Sequence, residues 1–248
     1  MHRLLIIPAA GLGSRLGAAT AKPLVAVNGR PMLDHLATLY RPFVEEFVVV
    51  ANPAFSADIR RWAADSGCRV SVTEQTQPTG MLDAILLAAP FVRRTQADEV
   101  WITWSDQVGV LTATVQRLSE AMATAPPPAM AMPTVARDHP YIHFDRDTAG
   151  RINGLRQRRE GDPMPVRGEG DMGLFALTRR TFDEDLEIYA RDVPPGRGTG
   201  ERNFLPFVPW LAQRSPLATV PCTHPMEAVG VNTPDELQQV AQWLRSRP

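Results

Sequence analysis

The run Leu4-Leu5-Ile6-Ile7 stops at Pro8-Ala9-Ala10-Gly11, the pattern of a short buried strand (residues 3–8) ending in a turn. A small, glycine-rich loop follows over residues 9–22. Apolar residues at helical spacing (Met32, Leu33, Leu36, Leu39) then predict a helix over 31–40. Strands are expected at 46–51, 69–73 and 99–104, with helices at 55–66 and 80–92 between them. This alternation implies right-handed βαβ units and an α/β fold: three layers, α/β/α, around a Rossmann-like, mixed but mostly parallel sheet. The second half is less regular. It reads as a helix at 112–123, strands at 129–133, 140–145, 151–158 and 172–177, and helices at 180–190 and 202–213. Strands at 217–221 and 228–231 and a helix at 234–245 complete it, the helix with Thr233 as N-cap and Pro234 at its first position. No internal repeat or long linker interrupts the pattern, so one domain is expected over 1–248. It divides into a regular first half, 1–110, and a less regular second half, 111–248.

Composition narrows the function classes. The 248 residues carry 26 basic and 27 acidic side chains, a formal charge of −1. No basic excess points to nucleic acid or to an anionic membrane. The hydrophobic content of 44% excludes a mainly disordered chain. No apolar run is long enough to span a bilayer or to form a signal-peptide core. Cys68 and Cys222 form no CxxC pair, so a reducing cytoplasmic location is expected. Lys22 is the single lysine among the 26 basic residues. A general preference for arginine explains the other positions, and Lys22 then marks a place where a compact ammonium is wanted.

The loop Pro8-Ala9-Ala10-Gly11-Leu12-Gly13-Ser14-Arg15-Leu16-Gly17 lets a ligand approach the backbone, and its consecutive N–H groups suit an anion. Arg15 and Lys22 add two positive charges to it. A Walker A loop fails, because Lys22 is followed by Pro23 and lies five residues past Gly17. A dinucleotide fingerprint fits poorly: its third glycine falls one residue late, and the second strand ends in Ala51-Asn52 without an acid. The whole run, with Lys22-Pro23-Leu24 and Val27-Asn28-Gly29-Arg30-Pro31-Met32-Leu33, resembles the composite signature of the sugar-phosphate nucleotidyltransferases. These have MobA-like or hexosamine-1-phosphate uridylyltransferase-like NTP transferase domains.

That resemblance implies a nucleotide-binding half over 1–110 and an acceptor-binding half over 111–248, and roles residue by residue. Ala9, Ala10, Gly11, Leu12, Gly13 and Ser14 would cradle the nucleotide phosphates, with Arg15 and Lys22 as the catalytic cations. Residues 74–80 resemble the family's nucleobase segment. Gln75 and Gln77 are both candidate base readers there, beside Thr79 and Gly80. Ser105 stands where the family usually has glycine, next to Asp106 in the place of its magnesium ligand. Asn232, in Val229-Gly230-Val231-Asn232, matches the second ligand. The cofactor implied is Mg²⁺. On the acceptor side the chain departs from the uridylyltransferases: Gln157 replaces their glutamate, and Glu169-Gly170-Asp171-Met172-Gly173 stands in for another of their segments. Tyr141, Gln157 and Asp171 are the candidate acceptor contacts. The partners implied are an NTP and a phosphorylated small molecule, most simply a sugar 1-phosphate, with no nucleic acid or membrane partner; a homo-oligomer is compatible. Alternatives are a cytidylyl- or guanylyltransferase for a phosphonate, phosphocholine-like or molybdopterin acceptor, a dehydrogenase, and a non-catalytic nucleotide sensor.

Other constellations are discounted. His139 and His143 would lie roughly 13 Å apart along a strand, too far to share an ion. No Gly-x-Ser-x-Gly elbow occurs. Cys68, Cys222, Trp101 and Trp104 read as packing residues.

Overall fold

A computed structural model describes residues 1–11, 16 and 20–246. The first strand, β1 (Arg3–Ala9), is buried along nearly its whole length. A 3-10 turn at Lys22–Leu24 and a short hairpin, β2 (Ala26–Val27) and β3 (Arg30–Pro31), lead into helix α1 (Met32–Tyr40). Then come β4 (Glu46–Ala51), α2 (Ser56–Asp65), β5 (Val70–Glu74), α3 (Met81–Leu86), α4 (Ala89–Thr95) and β6 (Glu99–Thr103). The second half contributes α5 (Thr112–Met122), β7 (Met130–Asp138), β8 (Ile142–Arg146), β9 (Ile152–Gln157), β10 (Arg167–Asp171) and β11 (Leu174–Thr178). It ends with α6 (Leu186–Asp192), α7 (Phe207–Ala212), β12 (Leu217–Pro221) and α8 (Pro234–Ser246).

Across the main sheet the order is β5-β4-β1-β6-β11-β7. β10 continues the line of β11 along β7, and β12 pairs with the opposite edge of β7. Strands β4, β5 and β6 run parallel to β1; β11 is antiparallel to both β6 and β7, and β7 and β12 are parallel to each other. Among the described residues, therefore, only the β10–β11 line opposes the rest of this sheet. The sheet is mixed and mostly parallel, as expected.

Alternating side chains feed its two faces. Leu5, Ile7 and Trp101 pack with α1, α2, α5 and α8, whereas Leu4, Ile6, Val100 and Ile102 pack with α3, α4, α6 and α7. This gives the α/β/α layering. Parallel strands place their carboxyl ends on one edge, so the segments after β1, β4, β5 and β6 open together, where open α/β sheets bind ligands.

Four element expectations are corrected. The strand expected at 228–231 is absent: Pro225–Ala228 is a 3-10 turn, and an irregular stretch continues to α8. Glu227 dictates this, because its side chain turns back to accept from the N–H groups of Leu111, Thr223 and His224. The helix expected at 80–92 divides at Leu87–Ala88 into α3 and α4, with Pro90 in the first turn of the second. The helix expected at 180–190 begins as a π turn over Thr181–Asp185. The helix expected at 202–213 shortens to α7, because the Arg202 backbone pairs with Thr79 and Leu82. β10 and the β2–β3 hairpin were not anticipated.

Candidate active site

The site begins at Lys22. Pro23 holds the second position of the 3-10 turn, Leu24 N–H donates to Ala21 O (2.8 Å), and Val25 N–H donates to Lys22 O (3.1 Å). With its backbone set, the side chain reaches two loops distant in sequence. Its Nζ donates to Asp106 Oδ2 at 2.5 Å and to Asn232 Oδ1 at 2.7 Å. The Lys22 and Asp106 side chains are each only 14% exposed.

Each partner is held in turn. Asp106 follows β6, and its carbonyl accepts from Val231 N–H (3.1 Å), which ties the β6 loop to the segment before α8. Gly230 allows that approach: a Cβ there would stand 3.2 Å from Asp106 Cγ, Asn232 Nδ2 and Gln107 Nε2 alike. The Asn232 amide is oriented by its Nδ2, which donates to Gly230 O (3.2 Å) and leaves Oδ1 toward Lys22. Asn232 N–H donates to Glu236 Oε2 (2.8 Å), and Glu236 N–H donates to Thr233 Oγ1 (3.2 Å), so Thr233 caps α8 as expected. Asn232 is thus presented by a helix start and not by a strand end. Beside it, the buried Gln107 carboxamide oxygen has no partner among the described residues.

On the nucleotide side, Ala9 ends β1, and Ala10 O accepts from Asn52 Nδ2 (3.1 Å). The asparagine that argued against a dinucleotide fold therefore anchors the start of the loop. Gly11 is exposed; Leu12, Gly13, Ser14 and Arg15 lie outside the described residues. Gln75 N–H continues the β5 pairing to Ala51 O (2.9 Å), and its Nε2 donates to Gly80 O (2.9 Å). Gln75 is buried, while Gln77 and Thr79 are exposed and line a pocket of about 330 Å³ with Gln75, Asp83 and Leu87. Gly80 has φ +124°, and Arg202 crosses directly against it: a Cβ would fall 2.4 Å from Arg202 O. Arg202 N–H donates to Thr79 O, Leu82 N–H donates to Arg202 O, and the guanidinium binds Asp83. Ser105 is buried next to Asp106.

The acceptor candidates cluster around Ile142: Gln157 is its partner across the β8–β9 pair, Tyr141 precedes it, and Gly170, next to Asp171, packs against its carbonyl. Gln157 ends β9 and lines a pocket of about 470 Å³ with Glu160, Asp162, Tyr189, Asn203 and Trp210. Asp171 Oδ2 accepts from Gly173 N–H (2.8 Å). Burial pushes the Asp171 carboxyl above the usual range, partly offset by the Gly173 amide, its own amide, Arg137 and Trp104. Tyr141 is 48% exposed on the connection from β7 to β8.

Of the discounted groups, Trp104 packs against Phe175 and Phe204, and His139 is exposed. His143 Nδ1 accepts from Glu169 N–H (3.1 Å), and no cluster of three or more His, Cys, Asp or Glu side chains suited to a metal occurs among the described residues. Trp101 is fully buried. Two residues that sequence reasoning passed over support the site. Arg137 Nη2 donates to Ala228 O (2.8 Å), and the fully buried Glu227 pins the same segment. The His224–Glu227 spacing is that of a capping box and was the available signal.

A mostly parallel sheet with one opposed strand line, and a lysine and two hard-oxygen side chains at its carboxyl edge, define a protein of the nucleotide-diphospho-sugar transferase fold. Residues 5–168 match the MobA-like NTP transferase domain, and the chain belongs to that family of nucleotidyltransferases. It is similar to the bifunctional protein GlmU of Solibacter usitatus (26% identity over 98% of this chain and 52% of the relative). The GlmU of Acidithiobacillus ferrooxidans is 33% identical over 94% of this chain and 50% of the relative. That of Pseudomonas aeruginosa is 27% identical over 97% of this chain and 51% of its own length. The chain thus spans about half the length of these curated relatives.

Proposed function

We propose that the chain transfers a nucleoside monophosphate from an NTP to a phosphorylated acceptor, most simply a sugar 1-phosphate, giving an NDP-sugar and pyrophosphate. The observation that carries this reading is the convergence of Lys22, Asp106 and Asn232 at the carboxyl edge. An acceptor phosphate oxygen attacks the α-phosphorus in line, the bond to the β-phosphate oxygen breaks, and pyrophosphate leaves with the electron pair. The attacking oxygen is already an anion near neutral pH, so the protein supplies position and positive charge and removes no proton. Lys22 balances charge on the α-phosphate and the incoming anion, and Arg15 does so on the leaving pyrophosphate. Gln77 and Thr79 face the base, and Gln75 shapes their loop.

The donor set fits Mg²⁺. One carboxylate and one amide oxygen already converge on a single cation, the Lys22 ammonium, which suits an ion that takes its other ligands from phosphates and water. Asp106 and Asn232 would hold it; when bound, it neutralises phosphate charge. The chain's two halves act as one unit in this reading, since β7, β11 and β12 extend the sheet begun by β1 and β4. No helix among the described residues is long and apolar enough to cross a membrane, and the reaction is read as cytoplasmic.

A second acceptor class, a phosphonate or other non-sugar phosphate including a molybdopterin, rests on the departures from the uridylyltransferase pattern at Gln157 and Asp171. The basic reading is tested by Asp106→Ala, which should lower pyrophosphate release by roughly 10²–10³-fold with the fold intact. Undiminished turnover would remove Asp106 from the site.

A further inference from the structure

We infer that Lys22 is the resident cation of the nucleotide-free site. Its ammonium fills the position between Asp106 and Asn232 that a divalent ion would need, and a free ion binds only by displacing it. The inference rests on the metal-binding part of the proposed function. Nζ stands 2.5 Å from Asp106 Oδ2 and 2.7 Å from Asn232 Oδ1, so the ammonium already takes the space between both oxygens. Mg²⁺ needs such oxygens at about 2.1 Å. An ion touching both would therefore overlap the ammonium, and two like charges in a site where both side chains are 86% shielded from water repel strongly.

Lys22 cannot step aside as a whole residue. Its carbonyl and the Ala21 carbonyl are engaged by the turn, and Pro23 follows. Only the four-carbon stem can swing. In the nucleotide-free protein a displaced ammonium exchanges its bonds to the Asp106 carboxylate and the Asn232 amide for water. When the ion arrives already bound to an NTP, the phosphates offer the ammonium new anionic partners. The site therefore discriminates against the free ion and accepts the metal–nucleotide complex as one unit. The Asn232 amide, oriented through Gly230 O, and Asp106, tied to Val231, keep their donor geometry while the lysine waits between them.

The test uses Mn²⁺ alone, without nucleotide, on the full chain. Electron paramagnetic resonance should show Mn²⁺ binding Lys22→Met about tenfold or more tightly than the wild type. Equal or weaker binding by a folded Lys22→Met overturns the inference. A second readout needs no variant. Lys22 is the only lysine, so the rate of amine acylation at that residue can be followed by mass spectrometry. Saturating Mn²⁺ should speed acylation several-fold in the wild type, and an unchanged or slower rate contradicts displacement. Both readouts concern binding alone, so their failure leaves nucleotidyl transfer to be judged separately by pyrophosphate release.

Discussion

At the scale of single residues, Lys22 is where chemistry and sequence meet. Its partners are 84 and 210 positions away, and three separate segments of the family resemblance pointed to these residues. What the motif could not show is their mutual geometry, because hydrogen bonds between loops depend on the sheet that carries them. An arginine would keep the charge but present a wide planar fork where one compact ammonium meets two oxygens. Lys22→Arg should therefore lower pyrophosphate release by about 10²-fold while leaving the melting temperature nearly unchanged; full activity would show that charge alone suffices. Asp171 makes a different prediction. Burial raises its folded pKa, so the ionised form is penalised in the native state only. The penalty is absent well below the ordinary aspartate pKa of about 3.9, grows as pH rises through the window up to the raised value, and is full above it. Asp171→Asn should thus raise thermal stability at pH 7, and the gain should vanish near pH 3. A gain that persists at pH 3 would place the effect in packing instead of charge.

At the scale of elements, the sequence was most legible where one periodicity ran unbroken, as in β1, β4, β6 and α8, whose bounds differ from expectation by a residue or so. It misled where a side chain commandeers backbone groups. The apolar pattern around Val229 and Val231 reads as a strand, yet Glu227 gathers the N–H groups of Leu111, Thr223 and His224 together with the Thr223 hydroxyl. Arg202 likewise pairs with Thr79 and Leu82, which shortens the helix expected there and seats Gly80 at a positive φ. Glu227 is fully buried; burial pushes its carboxyl up, but hydrogen bonds from Thr114, Thr223, Leu111 and His224 outweigh this and hold it below the usual range. Glu227→Gln puts an amide donor among existing donors. It should cost roughly 3 kcal/mol in urea unfolding at pH 7. A depressed folded pKa means the wild-type advantage is full above the ordinary glutamate pKa of about 4.3 and is lost as pH falls through the lower folded value. The gap between the two proteins should therefore close on acidification. A pH-independent gap would contradict the charged role.

At the scale of the whole molecule, alternating strands and helices foretold the layered sheet, because each βαβ step constrains the next. The one opposed line, β10 and β11, comes from the second half, where short strands and turns leave the periodicity weak. The placement of Gln75 and Asp106 was legible for the same reason: they sit just past β5 and β6, at positions set by the sheet. The acceptor side was not, since Gln157, Asp171 and Tyr141 depend on how β8–β9 and the segment before α7 pack over the edge. The central claim is nucleotidyl transfer, and phosphorus NMR tests it most directly. Each of the four NTPs is incubated with Mg²⁺ and a panel of sugar 1-phosphates, phosphonates and other phosphorylated acceptors. One pair should yield pyrophosphate and a nucleotide–acceptor diphosphate in equal amounts, and neither product without the divalent ion. Release of orthophosphate, pyrophosphate formed without an acceptor, or no pyrophosphate from any pair that binds would contradict the account.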